Sequence, residues 1–133
     1  MNIDLVKTLK ESLDILDCDP AIIDDIDHHS TIAMELEGLP SLLLSQLEQG
    51  VMLWCKVAEY HPQKLVSVAS ELIEPLTDCY EWSTNGQVQL LKSDNYFELR
   101  TMLNEKSVTS GQLLAQALVD FTHLLQYFQR VLC

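Results

Sequence analysis

Apolar residues recur along the chain with two different periods, and the change of period divides it into elements. From Ile3 to about Leu16, the residues Val6, Leu9, Leu13 and Leu16 stand three or four apart, with Leu5 and Ile15 flanking and Lys7, Lys10, Glu11 and Asp14 between them. That spacing predicts an amphipathic helix. Asp19-Pro20 has the form of an N-cap followed by proline at the first helical position, which predicts a short turn of helix over Ala21 to Ile26. The period then becomes two. Ile32, Met34 and Leu36 alternate with Thr31, Ala33 and Glu35, the pattern of a strand. Gly38-Leu39-Pro40 breaks it. Ser41 to Leu47 predicts a second strand, apolar on both sides at Leu42, Leu43 and Leu44. After a turn at Glu48-Gln49-Gly50, Val51 to Ala58 predicts a third, with Val51, Leu53, Cys55 and Val57 on one face and Met52, Trp54 and Lys56 on the other. Three strands joined by short turns predict an antiparallel meander.

Helical spacing returns at Leu65, Val68, Ala69, Leu72, Ile73 and Leu76, with Pro62 at the start. Pro75 removes one backbone hydrogen bond and predicts a kink or stop. Asn85-Gly86 carries the residues of a type I′ turn and predicts a hairpin pairing Glu81 to Thr84 with Gln87 to Lys92. A further turn at Ser93-Asp94-Asn95 leads into Tyr96 to Leu103, which alternates Phe97, Leu99, Thr101 and Leu103 with Glu98, Arg100 and Met102. From Ser110 to about Val131, the residues Leu114, Leu118, Phe121, Leu125, Phe128 and Leu132 keep a regular three-four spacing, with Thr109 or Ser110 as the cap. The order is helix, three strands, helix, two or three strands, helix. Without strict strand-helix-strand alternation, this predicts an α+β fold with an antiparallel sheet packed by helices.

With 133 residues, the chain fits a single domain spanning 1–133. Eight basic residues face 20 acidic ones, for a formal charge of −12. An acidic surface repels phosphate backbones, so no nucleic-acid partner is expected, and basic or neutral protein partners are favoured. No apolar run is long enough to span a bilayer. Met1 to Lys7 lacks a basic segment followed by an apolar core, which predicts no signal peptide and a cytoplasmic location. Cys18, Cys55, Cys79 and Cys133 match no C-x-x-C pattern and are expected to be reduced thiols, with Cys133 exposed and prone to oxidation.

Catalytic chemistry has no foothold in the pattern. There is no G-x-S-x-G elbow, P-loop, G-x-G-x-x-G or H-E-x-x-H, so no enzyme activity, catalytic residue or cofactor is expected. His28-His29 beside Asp24, Asp25 and Asp27 has metal-binding residue types. Adjacent residues of an extended chain point to opposite sides, however, and the expected reading is a solvated acidic connection with no metal. Trp54 and Trp82 each read as a core or interface anchor.

Several stretches resemble a known family. The run Ile26-Asp27-His28-His29-Ser30-Thr31-Ile32, then Leu39-Pro40-Ser41 and Val51-Met52-Leu53-Trp54, is similar to the class IB type III secretion chaperones. This is the multi-effector branch, the surface presentation of antigens protein K family. Leu5-Val6, Cys18-Asp19-Pro20 and the stretch from Lys92 to Arg100 extend the resemblance over nearly the whole chain in the same order. The segment Glu81 to Gly86 departs from it by a sharper turn. The resemblance implies a homodimer that binds N-terminal segments of several secreted effectors, keeps them soluble and secretion-competent, and delivers them to the export ATPase and sorting machinery. It places the chain in protein transport and virulence, without ATP hydrolysis of its own.

Two sets of apolar residues are then candidates for binding. Leu5, Leu9, Ile32, Met34, Leu42 and Leu44 would form an effector groove between the first helix and the first two strands. A bound segment would add as a strand to a sheet edge or drop apolar anchors into that groove. Leu65, Val68, Ala69, Leu72, Ile73 and Leu76, with Trp54 as a neighbour, would form the dimer interface. The competing class is an acidic dimeric adaptor or regulatory subunit that binds a folded protein partner.

Overall fold

The computed structural model of the protein describes residues 4–19, 21, 23–26 and 31–133, the stretch 23–26 by its backbone. Its elements are helix α1 (Leu5–Ile15), strands β1 (Ile23–Ile26), β2 (Thr31–Met34), β3 (Leu42–Leu47) and β4 (Gly50–Glu59), helix α2 (Pro62–Thr77), strands β5 (Gln89–Ser93) and β6 (Tyr96–Leu103), and helices α3 (Glu105–Thr109) and α4 (Gly111–Leu132). The strands form one antiparallel sheet in the order β1-β2-β3-β4-β6-β5. The α+β class and the meander follow the hydrophobic pattern.

Register explains which face is buried. Ile32 pairs with Leu44, Leu44 with Leu53, Leu53 with Thr101, and Cys55 with Leu99. Directly opposed residues share a face, and these positions are buried together with Leu5, Leu9, Leu13, Leu114, Phe121, Leu125 and Phe128 from α1 and α4. The other face carries Thr31, Ala33, Leu43, Ser45, Met52, Trp54, Glu98, Arg100 and Met102 in the intervening registers. There the Trp54 indole N–H donates to Ser45 Oγ at 2.9 Å, and Ser45 Oγ lies 2.9 Å from Thr31 Oγ1. Arg100 Nε donates to the buried Glu98 carboxylate at 2.9 Å.

Helices α1 and α4 approach closely at Gly111. A Cβ there would lie 2.7 Å from Glu11 Cβ, inside any tolerable contact. The closeness lets the buried Ser12 hydroxyl donate to Gly111 O at 2.7 Å, and Ser110 caps α4 by accepting from the Leu113 N–H.

Two expectations are corrected. Ile23 to Ile26, expected within a short turn of helix, is a strand. A bulge lets Ile23 and Ile26, three apart, pair with Met34 and Ile32, two apart. The second correction concerns the hairpin at Asn85-Gly86. Among the described residues only Asp17 and Asp94 depart from negative φ outside glycine, so Asn85 does not enter a type I′ turn. Thr84 N–H instead donates to Met102 O at 2.8 Å, and Asn104 N–H to Trp82 O at 2.9 Å, so residues 82–84 run along the end of β6. Strand β5 pairs with β6 alone, through the Asp94-Asn95 turn. Pro75 stands near the end of α2, which continues two residues past it to Thr77. The short helix α3, capped by Asn104 Oδ1 on the Ser107 N–H, adds an element the spacing did not predict.

Candidate functional site: an apolar groove

The end of α1 builds one wall of a groove. Asp17 takes the left-handed conformation at φ 55°. The Cys18 N–H then reaches back to Leu13 O at 2.8 Å and the Asp17 N–H to Asp14 O at 3.1 Å. These two bonds are the helix-ending pair of the Schellman motif, here with aspartate where glycine is usual. The motif turns the chain so that Leu13, Leu16 and Cys18 face the same space. Met34 and Leu36 at the end of β2 and Leu42 at the start of β3 form the floor. Leu118, Val119, Thr122 and His123 of α4 form the far wall.

The groove encloses about 310 Å³. Most of its lining is aliphatic, with a thiol, a hydroxyl and an imidazole at the rim, a composition suited to apolar side chains of a ligand. Two larger clefts are polar by comparison. One of about 760 Å³ is rimmed by Glu59, His61, Gln63 and Lys64, and one of about 440 Å³ by Glu81, Asn104, Glu105, Lys106 and Gln116. Size favours those clefts, but burial of apolar ligand surface is the stronger driving force for association, and it favours the groove.

The six residues expected to contact effectors are all buried. Leu5, Leu9, Ile32 and Leu44 lie in the core cluster, while Met34 and Leu42 also line the groove. Helical and alternating spacing identified the apolar faces but not which parts of them the chain covers itself. Leu16, Leu36 and Val119 were not singled out. Only their half-exposure beside the groove distinguishes them from core.

The residues expected at a dimer interface divide similarly. Leu72 is buried within the chain, and Leu65, Val68 and Leu76 are half-buried against the core. Ala69 and Ile73 are exposed, and so is Val66, which the sequence reading left out; Val66 is 78% and Ile73 57% exposed. These three lie at helical spacing on the outer side of α2. Trp54 is half-buried on the sheet face opposite the core, among Leu43, Ser45, Met52 and Arg100. Trp82 is a core anchor, its indole N–H donating to Asp120 Oδ2 at 2.8 Å.

His28, His29 and Asp27 lie outside the described residues, and Asp24 and Asp25 are described only as backbone positions of β1. Among the described residues no three His, Cys, Asp or Glu side chains are grouped to hold a metal ion, and no helix is long and apolar enough to cross a membrane. All four cysteines are free thiols, with Cys79 and Cys133 exposed, Cys18 half-buried and Cys55 buried. Burial, reinforced by the nearby Glu98 charge, pushes the Cys55 thiol up to about 12.

Comparison with known proteins is consistent with this architecture. The chain is 26% identical over 131 residues to the surface presentation of antigens protein SpaK of Salmonella typhimurium, covering 98% of this chain and 97% of that protein. Its fold is similar to the Yersinia pestis type III secretion chaperone SycH, solved with a stable fragment of YscM2. That match has a TM-score of 0.61 at 16% identity over 91% of this chain and 96% of the other. It is also similar to a chain of the heterodimeric ExoU-SpcU complex from the type III secretion system of Pseudomonas aeruginosa, with a TM-score of 0.63 at 14% identity over 91% and 94%. The model of one family matches residues 17–94, more than half the sequence and including the groove floor, and the chain belongs to that family, the Invasion protein B family.

Proposed function

We propose that the protein is a non-catalytic chaperone that binds N-terminal segments of type III secretion effectors and keeps them soluble and secretion-competent. The observation that carries this reading is the apolar groove at the junction of α1, β2, β3 and α4 in a member of this family. A folded enzyme site needs converging polar groups, whereas this groove offers mainly aliphatic surface. Beside it, β1 is the outermost strand of the sheet, paired to β2 on one side. An extended segment can add there through backbone hydrogen bonds while its apolar side chains enter the groove. Backbone pairing tolerates many sequences, and flexible Met34 adapts to different side chains, so one chaperone serves several effectors. Of the residues expected at the groove, Met34 and Leu42 remain its contacts, joined by Leu16, Leu36 and Val119.

The chaperone acts as a homodimer in the cytoplasm, associating through the exposed stripe of Val66, Ala69 and Ile73 on α2, with delivery to the export ATPase and sorting machinery as the next step. Large exposed apolar residues at helical spacing favour burial against a second copy.

Co-expression with N-terminal fragments of effectors from the same secretion system tests the reading. A soluble complex is expected, and Val119→Glu, which places a charge at the groove wall, is expected to weaken it at least tenfold in titration calorimetry while the chain still folds. Binding to folded partners alone, with no fragment captured, would favour an adaptor and refute the chaperone.

A further inference from the structure

Helix α2 packs Leu65, Val68 and Leu76 partly against the core. Leu72 is its one buried side chain among 16 residues, and its principal neighbour is α4. Within its last turn stands Pro75. The proline nitrogen carries no hydrogen, so the Glu71 carbonyl one turn earlier loses its regular helical donor. That carbonyl is taken instead by α4: the Tyr127 hydroxyl donates to Glu71 O at 2.8 Å. A second phenol grips the same end, with Tyr80 Oη donating to Pro75 O at 3.0 Å. The Pro75 carbonyl is one of those that a helix end leaves without an internal partner. Both rings are anchored. Tyr127 packs edge-on against Phe128 with centroids 5.7 Å apart, and Tyr80 lies against Trp82 at 5.0 Å. Phe128 and Trp82 belong to the core. Burial, together with the Asp78 and Asp120 carboxylates, pushes the Tyr80 phenol up, so it keeps its proton and remains a donor.

We propose that Tyr127, on the carbonyl that Pro75 frees, and Tyr80, on a helix-end carbonyl, form a latch that positions α2, and with it the Val66, Ala69 and Ile73 stripe, for docking on a second copy of the chain. Apolar contacts restrain a helix weakly against sliding and rotation, because they are not directional. A hydrogen bond from a fixed ring to a fixed carbonyl is directional and sets both. Pro75 supplies the opening: in an unbroken helix the Glu71 carbonyl would already be satisfied. The latch stands on the geometry of α2 and α4 alone, while its role in docking rests on the dimer reading above.

A double-mutant cycle in the full chain separates the two. In Pro75→Ala an N–H returns to Glu71 O, and the phenol becomes redundant. Tyr127→Phe is expected to lower the folding equilibrium constant about three- to tenfold in the native background, the worth of one hydrogen bond, and to have less than about a twofold effect in the Pro75→Ala background. Amide exchange across residues 72–77 should rise in Tyr127→Phe and return in the double variant. Equal losses in both backgrounds overturn the latch. Sedimentation equilibrium then reads docking. Ile73→Asp is expected to give a monomer. Tyr127→Phe is expected to raise the dimer dissociation constant by the square of the factor by which the docking-competent fraction of each protomer falls, since both copies lose the latch. Coupling in the cycle with an unchanged dimer constant overturns the positioning role, and a dimer indifferent to Ile73→Asp overturns the dimer reading while leaving the cycle result intact.

Discussion

Replacing Gly111 by alanine tests how closely α1 and α4 must approach. The added Cβ would lie 2.7 Å from Glu11 Cβ and 3.1 Å from Glu11 Oε2. The first of these atoms is attached to the backbone of α1 and cannot swing away as a side-chain tip can. The helices must therefore part, which stretches the 2.7 Å bond from Ser12 Oγ to Gly111 O. Overpacking of this kind costs about 1–3 kcal/mol. One effect opposes it: alanine has less backbone freedom to lose on folding than glycine, which is worth about 0.4–1 kcal/mol. Gly111 is the first residue of α4, where the propensity gain is smaller than in the interior. The clash wins, and a net loss of about 1–2 kcal/mol is expected. With a urea m-value of about 2 kcal/mol/M, the unfolding midpoint should fall by roughly 0.5–1 M. Tryptophan fluorescence during urea titration measures it, since Trp82 is buried in the core. Glu11→Gly removes the opposing Cβ, and in that background Gly111→Ala should be neutral or stabilising. A Gly111→Ala chain that is more stable than the parent, or equally destabilised in both backgrounds, would refute the close-approach argument.

Other expectations follow from single sites. Asp17 holds the left-handed position that ends α1, so Asp17→Gly should raise stability by up to about 1 kcal/mol, seen as a higher melting temperature. A lower one would count against the cap. Arg100→Met leaves the Glu98 carboxylate buried without its partner. Because Arg100 is itself a third exposed, a loss of about 1–3 kcal/mol is expected, discounted from the value for a fully buried pair; a neutral result in chemical denaturation would show that water reaches Glu98. Cys55, pushed up to about 12, should resist a thiol reagent in the native protein while Cys79 and Cys133 react at once. The same shift makes stability fall with rising pH. The unfolded thiol ionises near 9.0 and the folded one near 12, so the contribution is complete below the lower value. It declines by about 1.4 kcal/mol per pH unit between the two. Cys55→Ala should flatten that part of the pH profile.

The pattern of apolar positions was sufficient for the elements that obey one period throughout. Strand β4 alternates without interruption from Val51 to Val57, and α4 keeps its three-four spacing to Leu132, so both were legible. Strand β1 was not, because Asp19-Pro20 signals a helix start and the four-residue strand is interrupted by a bulge between Ile23 and Asp25. The stretch 81–84 failed for a different reason. Asn85-Gly86 favours a tight hairpin locally, but burial of Trp82 and the bonds to Met102 O and from Asn104 N–H hold the chain along β6. Local turn preference is worth less than a buried tryptophan. At the site, spacing located the surfaces but not their depth. Leu9 and Leu16 stand at equivalent places in the α1 pattern, yet Leu9 is fully buried and Leu16 faces the groove. The difference arises from where α4 lies, about a hundred residues away, which no local window contains.

The α1–α4 contact also imposes an order on synthesis. Ser12 and its acceptor Gly111 are 99 positions apart, so at about 5–20 residues per second α1 leaves the ribosome several seconds or more before its packing partner exists. During that interval the meander of β1 to β4 has its mutual strand pairings at hand, while Leu5, Leu9 and Leu13 lack the α4 surface that completes their burial. A protein of this architecture spends the first seconds of its life exposing an apolar stripe that its own last helix later covers.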